Sequence, residues 1–139
     1  MMKTILTMLF LFMSLSSFAG EAEIKSLLPK RVQELTIGKT TSTAAVEILG
    51  MPDLVKGPKQ YWAEDGFKYA IELTFAKGRL ASLHYSFPKR PDSSVLKDEF
   101  KEEDFKPVAG KQDLRMATRD HAEVVVNVAQ KKIESVRIK

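Results

Sequence analysis

Few side chains in this sequence could do chemistry. There are two histidines, His84 and His121, and no cysteine. A structural or catalytic metal needs converging ligands, and neither histidine has a second His four residues away or a thiolate to complete a set. Both are read as surface residues. Glu102-Glu103-Asp104 is a carboxylate run, but Lys101 and Lys106 flank it in a polar stretch. Acid–base work by paired carboxylates requires burial that drives their pKa values apart, so the run reads as a solvated helix end. Gly38-Lys39-Thr40 resembles the end of a phosphate-binding loop. The full motif needs Gly at position 33, where Gln33 stands, and a strand where a helical pattern precedes it. No nucleophile elbow and no Ser-His-Asp order is present. The sequence therefore predicts no catalytic residue, no metal site and no cofactor, and the chain is read as a non-enzyme.

Composition narrows the setting. The 139 residues are 44% hydrophobic and 29% charged, which suits one folded domain. Absence of Cys excludes disulfides, iron–sulfur clusters and lipid attachment through an N-terminal Cys. Residues 1–19 have the order of a secretory signal. Lys3 leads, Ile5 to Met13 is apolar apart from Thr7, and Ser17 and Ala19 are the small residues before a cut at Gly20. Its apolar run is too short to span a bilayer as a helix. The expected domains are a signal peptide at 1–19 and a single α+β domain at 20–139. Cleavage after Ala19 removes Lys3 alone among the 22 Lys+Arg and 18 Asp+Glu, leaving a net charge of +3. The location predicted is periplasmic, with secretion as the alternative. Nucleic acid is not an expected partner there; the mild positive charge admits weak contact with anionic lipid or polymer.

The elements follow from periodicity. Ile24, Leu27, Leu28, Val32 and Leu35 recur at helical spacing, with Pro29 at a helix start. Thr40-Thr-Ser-Thr43 supplies N-caps for a helix that Gly50 and Pro52 end. From Gln60 the period becomes two. Gln60–Glu64 and Phe67–Phe75 are strands joined by Asp65-Gly66. Ala76-Lys77-Gly78 reads as a three-residue loop into a third strand, which pairs Leu73 with Ala81, Ile71 with Leu83 and Tyr69 with Tyr85. Trp62 then lies opposite Tyr69 in the core. Ser94 to Glu103 reads as a helix, Pro107 to Lys111 as a loop and Leu114 to Ile138 as strands. The expected core contains Leu28, Val32, Val46, Leu49, Trp62, Tyr69, Ile71, Leu73, Phe75, Leu83, Tyr85, Val124, Val126, Val128, Val136 and Ile138.

The tail repeats the middle. Ala70–Tyr85 aligns without a gap on Glu123–Ile138 at an offset of 53, with Ala76/Ala129 and Ser82/Ser135 identical and the apolar pattern retained. A true repeat and a likeness of any two hairpins are both open, with units at about 28–87 and 93–139. If helices cover the face bearing Ile71, Leu73 and Leu83, the other face stays open. By parity it carries Tyr61, Leu80, His84 and Arg137, the candidate partner-binding residues, together with Val125.

Leu35-Thr-Ile-Gly-Lys-Thr-Thr-Ser-Thr-Ala-Ala-Val-Glu-Ile-Leu-Gly-Met-Pro52 resembles the two-helix signature of the SmpA/OmlA (BamE-like) outer-membrane assembly factors. Trp62 and the Phe67–Tyr85 hairpin match the family's order of parts. The resemblance implies a helix–helix–strand–strand–strand plan, which the β-lactamase inhibitor protein carries twice in tandem. The predicted fold is α+β, with short helices on one face of an antiparallel sheet and room for two degenerate repeats. The chain departs from the family in lacking a lipidated Cys, and its Arg90-Pro91-Asp92 follows the hairpin instead of preceding the helices. Two functions follow. One is a soluble periplasmic interaction module in envelope assembly or maintenance, with another envelope protein as partner. The other is a secreted or periplasmic inhibitor of a hydrolase.

Overall fold

The computed structural model describes residues 22–139, so the expected signal peptide lies outside the described residues. Among the described residues the chain is helical at 22–26 (α1) and then forms two short helices, Lys30–Gln33 (α2) and Ser42–Leu49 (α3). Pro29 precedes α2, where its missing N–H costs nothing. Thr41 caps α3, its hydroxyl accepting from the Ala44 N–H at 3.2 Å. Gly50 ends α3 at φ +85°, a left-handed conformation that favours glycine. The turn between α2 and α3 is pinned to the sheet. Gly38 N–H donates to the Leu80 carbonyl at 2.8 Å, and Leu80 N–H donates to the Thr40 carbonyl at 2.7 Å.

Eight strands follow: β1 Leu54–Lys56, β2 Lys59–Glu64, β3 Phe67–Ala76, β4 Arg79–Ser86, β5 Lys106–Val108, β6 Lys111–Arg119, β7 Ala122–Asn127 and β8 Lys132–Ile138. They form one antiparallel sheet in the order β1-β2-β3-β4-β8-β7-β6-β5. Each half is a four-stranded meander, and the two meet through their last strands. At that seam Leu83 faces Ile138, His84 faces Arg137 and Tyr85 faces Val136. The fold is α+β and mostly sheet.

One row of residues carries the core across the whole sheet. Trp62 pairs with Ile71, Ile71 with Tyr85, Tyr85 with Val136, Val136 with Val124, and Val124 with Ala117. All six are buried, in one cluster with Ile24, Leu28, Val32, Leu35, Ala45 and Leu49 from the helical segment. The Trp62 Nε1–H donates to the Gly50 carbonyl at 3.0 Å, tying β2 to the end of α3. Leu96 and Phe100 enter the same cluster from the stretch between the two meanders.

Several expectations are corrected. Ser94–Glu103 is not a continuous helix but two 3-10 turns, Ser93–Leu96 and Glu102–Asp104. The Glu99 carbonyl is taken by Arg119 at 3.0 Å, and Leu96 and Phe100 both reach the core without a helix between them. Residues 107–111 are not all loop, because Lys106–Val108 pairs with β6 as an edge strand. Pro107 is tolerated at an edge, where no further strand needs its N–H. The β3–β4 turn is Lys77-Gly78 alone, at φ +54° and +77°, and Ile71 faces Tyr85 instead of Leu83. Tyr69 and Val128 are exposed, and Val46 and Phe75 are only half-buried.

Candidate functional site

The face opposite the core row is built by the alternate residues of the same strands. Its central row runs Tyr61–Glu72–His84–Arg137–Glu123–Thr118 through successive cross-strand pairs. Three of the four residues expected at a docking surface, Tyr61, His84 and Arg137, therefore stand on one row. Charges along it are largely compensated. Glu72 pairs with Lys59 at 3.1 Å, and Glu123 with Lys139 at 3.0 Å. Among the described residues Arg137 makes no ion pair. His84 is half-buried, not the plain surface residue expected. Burial, and then the Arg137 guanidinium beside it, push its pKa below the ordinary 6.5.

The fourth residue, Leu80, does not belong to this face: it is 1% exposed and part of the core. The reason is a β-bulge. Thr74 faces Ser82 and Phe75 faces Leu80, so Ala81 is the extra residue on β4. One unpaired residue reverses the alternation, and a parity count that crosses it places Leu80 on the wrong side.

A second irregularity brings in aromatic residues that the alternation had assigned to the core or left aside. Trp62 faces Ile71, but Glu64 faces Phe67, so β3 carries two more residues than β2 across this interval. Tyr69 consequently does not sit opposite Trp62. Its ring packs edge-on against Tyr61 at 5.2 Å between centroids, with Lys68 Nζ 5.5 Å from its own centroid. Phe67 is 45% and Tyr69 41% exposed. Phe67 borders a shallow depression of about 410 Å³ with Ser86, Arg90, Val125, Glu134 and Ser135, Arg90 and Glu134 being ion-paired. No short-range pattern in the sequence marks this irregularity; in the structure the ten-residue β3 and six-residue β2 change register beside the turn.

On the core side, the Tyr85 hydroxyl donates to Glu64 at 2.7 Å, and Arg31 approaches the same carboxylate at 3.5 Å. Burial, then the bond to Glu64, raise the Tyr85 pKa, which keeps the phenol protonated as a donor. The carboxylates of 102–104 are exposed or nearly so, and Asp104 binds Arg119 at 3.1 Å while Arg119 lies over the Phe100 ring at 4.8 Å. Hydrogen bonding from the Lys101 N–H leads the causes that hold Asp104 below the usual carboxylate range. Among the described residues no three His, Asp or Glu side chains gather as metal ligands. The face offers aromatic rings, one unpaired guanidinium and hydroxyl groups, which suit recognition.

A palindromic eight-stranded antiparallel sheet with short helices defines the structural class. No protein-family model and no curated protein matches the sequence. Among solved structures, the chain is similar to the crystal structure of a DUF4309 family protein, YjgB, from Bacillus subtilis. The TM-score is 0.58 at 16% identity, over 91% of this chain and 95% of that one. That likeness speaks to the fold alone.

Proposed function

We propose that the protein is a non-enzymatic interaction module of the cell envelope, exported by its signal peptide, that holds a partner protein on the open face of the sheet. The observation that carries this reading is the aromatic group Tyr61, Phe67 and Tyr69 beside the His84–Arg137 pair. Phe67 and Tyr69 are 45% and 41% exposed, and Tyr69 packs on the half-buried Tyr61. Contiguous exposed aromatic surface marks interaction sites, and Tyr and Arg are the usual anchors of protein interfaces. In this reading the helices cover the opposite face, and the two meanders are degenerate copies of one BamE-like or inhibitor-like unit. The helix–turn–helix resemblance favours envelope assembly or maintenance. A second reading, a protein inhibitor of a hydrolase, draws on the palindromic strand order, as expected of two such units in tandem.

The test is capture from envelope extract. Tyr61→Ala and Arg137→Ala should each lower recovery of the partner at least fivefold while leaving the thermal midpoint nearly unchanged, since surface substitutions seldom shift stability by more than about 0.5 kcal/mol. Membrane proteins among the captured species favour assembly; one soluble hydrolase, inhibited in solution, favours the second reading. Full retention by both variants would move the site off this face. Mass spectrometry of protein from an exporting host should give a chain beginning at Gly20.

A further inference from the structure

A cleft of about 420 Å³ lies on the side away from the aromatic face, between the segment 25–37 and strands β4 and β8. That volume is within the roughly 300–1,000 Å³ range of small-molecule sites. Val32, Leu35, Ile37, Leu83 and Ile138 make its walls, and Lys25, His121 and Lys139 stand at its rim. Val32, Leu35, Leu83 and Ile138 are core residues, so the surface that the floor presents is apolar. The wall at residues 36–37 is held rigidly. Thr36 N–H donates to the Thr40 hydroxyl at 2.8 Å, and the adjoining Gly38 and Thr40 are bonded to Leu80. A preformed cleft loses less entropy on binding.

The charged side chains lining the cleft are both lysines, Lys25 and Lys139, and no Asp or Glu side chain is among the described residues that line it. Lys139 is already engaged by Glu123 at 3.0 Å. Lys25 makes no ion pair among the described residues, so it and the His121 ring are the groups left to meet a headgroup. Aliphatic walls under a basic rim are complementary to a hydrocarbon chain ending in an anion.

We propose that this cleft binds a single-chain amphiphile, its alkyl chain against Val32, Leu35, Leu83 and Ile138 and its anionic head at Lys25 and His121. The chemistry is shared by a free fatty acid and by a lysophospholipid. The cleft and the partner face are lined by different residues, apart from Lys139, which stands at the cleft rim and pairs with Glu123 of the face.

The experiment is displacement of cis-parinarate fluorescence, with each competitor below its micellar concentration. Dodecanoate, dodecanol and lysophosphatidylglycerol are titrated into protein purified from an exporting host. Dodecanoate or the lysolipid should compete at least tenfold better than dodecanol, and the tighter of the two identifies the source. Lys25→Glu should weaken the anionic competitors about tenfold, equivalent to about 1.4 kcal/mol, and leave dodecanol unchanged. Ile37→Trp, at a half-buried wall position, should abolish all three at an unchanged thermal midpoint. Should Ile37→Trp misfold, Thr36→Trp at the exposed edge of the same wall is the substitute. The proposal is overturned if parinarate does not bind, if dodecanol matches dodecanoate, or if folded wall variants retain wild-type affinity.

Discussion

The β3–β4 and β7–β8 hairpins lie side by side in one sheet, close with loops of different length, and still turn their apolar residues to the same side. The first closes at Ala76–Arg79 with two residues between; the second closes at Asn127–Lys132 with four. Each return strand then carries one extra residue, Ala81 in β4 and Glu134 in β8. These two residues correspond in the ungapped alignment at offset 53. The outgoing strands do not correspond in that way. Ile71 faces Tyr85, whereas the aligned Val124 faces Val136, the counterpart of Leu83. The shift is two residues, which is the difference in loop length. A shift of two keeps every side chain on its face, while a shift of one would invert them all. The two-residue difference in loop length therefore leaves the faces unchanged, and the bulge stands at corresponding residues in the two hairpins.

The largest effect should come from the residues just before the two bulges. Leu80 is 1% exposed and Ile133 0% exposed. Leu80→Ala and Ile133→Ala should each cost about 2–5 kcal/mol, as for other buried aliphatic truncations, read as a lower urea midpoint with an unchanged slope. A neutral Leu80→Ala would return Leu80 to the open face and remove the bulge from the explanation.

A smaller effect separates the loops themselves. Gly78 has φ +77° in the two-residue turn, with nothing within 4 Å of an added Cβ. The conformation, not crowding, is therefore what penalises a side chain, and Gly78→Ala should cost about 1 kcal/mol. In the longer loop Lys131 already holds φ +57°. Lys131→Gly should relieve similar strain and raise the midpoint, less the entropy that glycine adds to the unfolded chain. A loss in the second case comparable to that in the first would mean that the Lys131 side chain makes a contact worth more than the strain.

What could be seen in the sequence was whatever depended on short-range pattern. Alternation in Ile71, Leu73 and Leu83, the Asp65-Gly66 turn, and the caps at Thr41 and Gly50 each report a local rule that the fold obeys. The sheet's order was not legible, because the pairing of β4 with β8 joins residues about fifty apart through contacts that leave no local mark. Leu80 and Tyr69 were misplaced for one common reason. Each is separated from its assigned pairing by an irregularity, and parity counted through it gives the wrong face or partner. The helix expected at 94–103 gives way to two 3-10 turns, and the Glu99 carbonyl between them accepts from Arg119 on a distant strand. On the candidate face, Tyr61, His84 and Arg137 were legible from alternation, while Phe67 and Tyr69 needed the irregular β2–β3 register.

The smallest effect tests the seam where the two hairpins meet. His84 and Arg137 face each other there and are aligned at offset 53, so the two halves place different bases at one corresponding point. Burial first, then Arg137, disfavour the imidazolium, and the folded-state pKa lies below the ordinary 6.5. The unfolded chain, with an ordinary histidine, takes up its proton first as the pH falls. Stability from this group is therefore whole above 6.5 and is lost on acidification from 6.5 down through the folded-state pKa. His84→Gln keeps a polar side chain and removes the titration. Its urea midpoint should change less than the wild type's between about pH 7 and pH 5, while carboxylates elsewhere contribute equally to both. Arg137→Gln should flatten the dependence only in part, because burial is the larger cause and remains. Identical pH slopes for wild type and His84→Gln would show that His84 is solvated at the seam and that burial there does not disfavour its charged form.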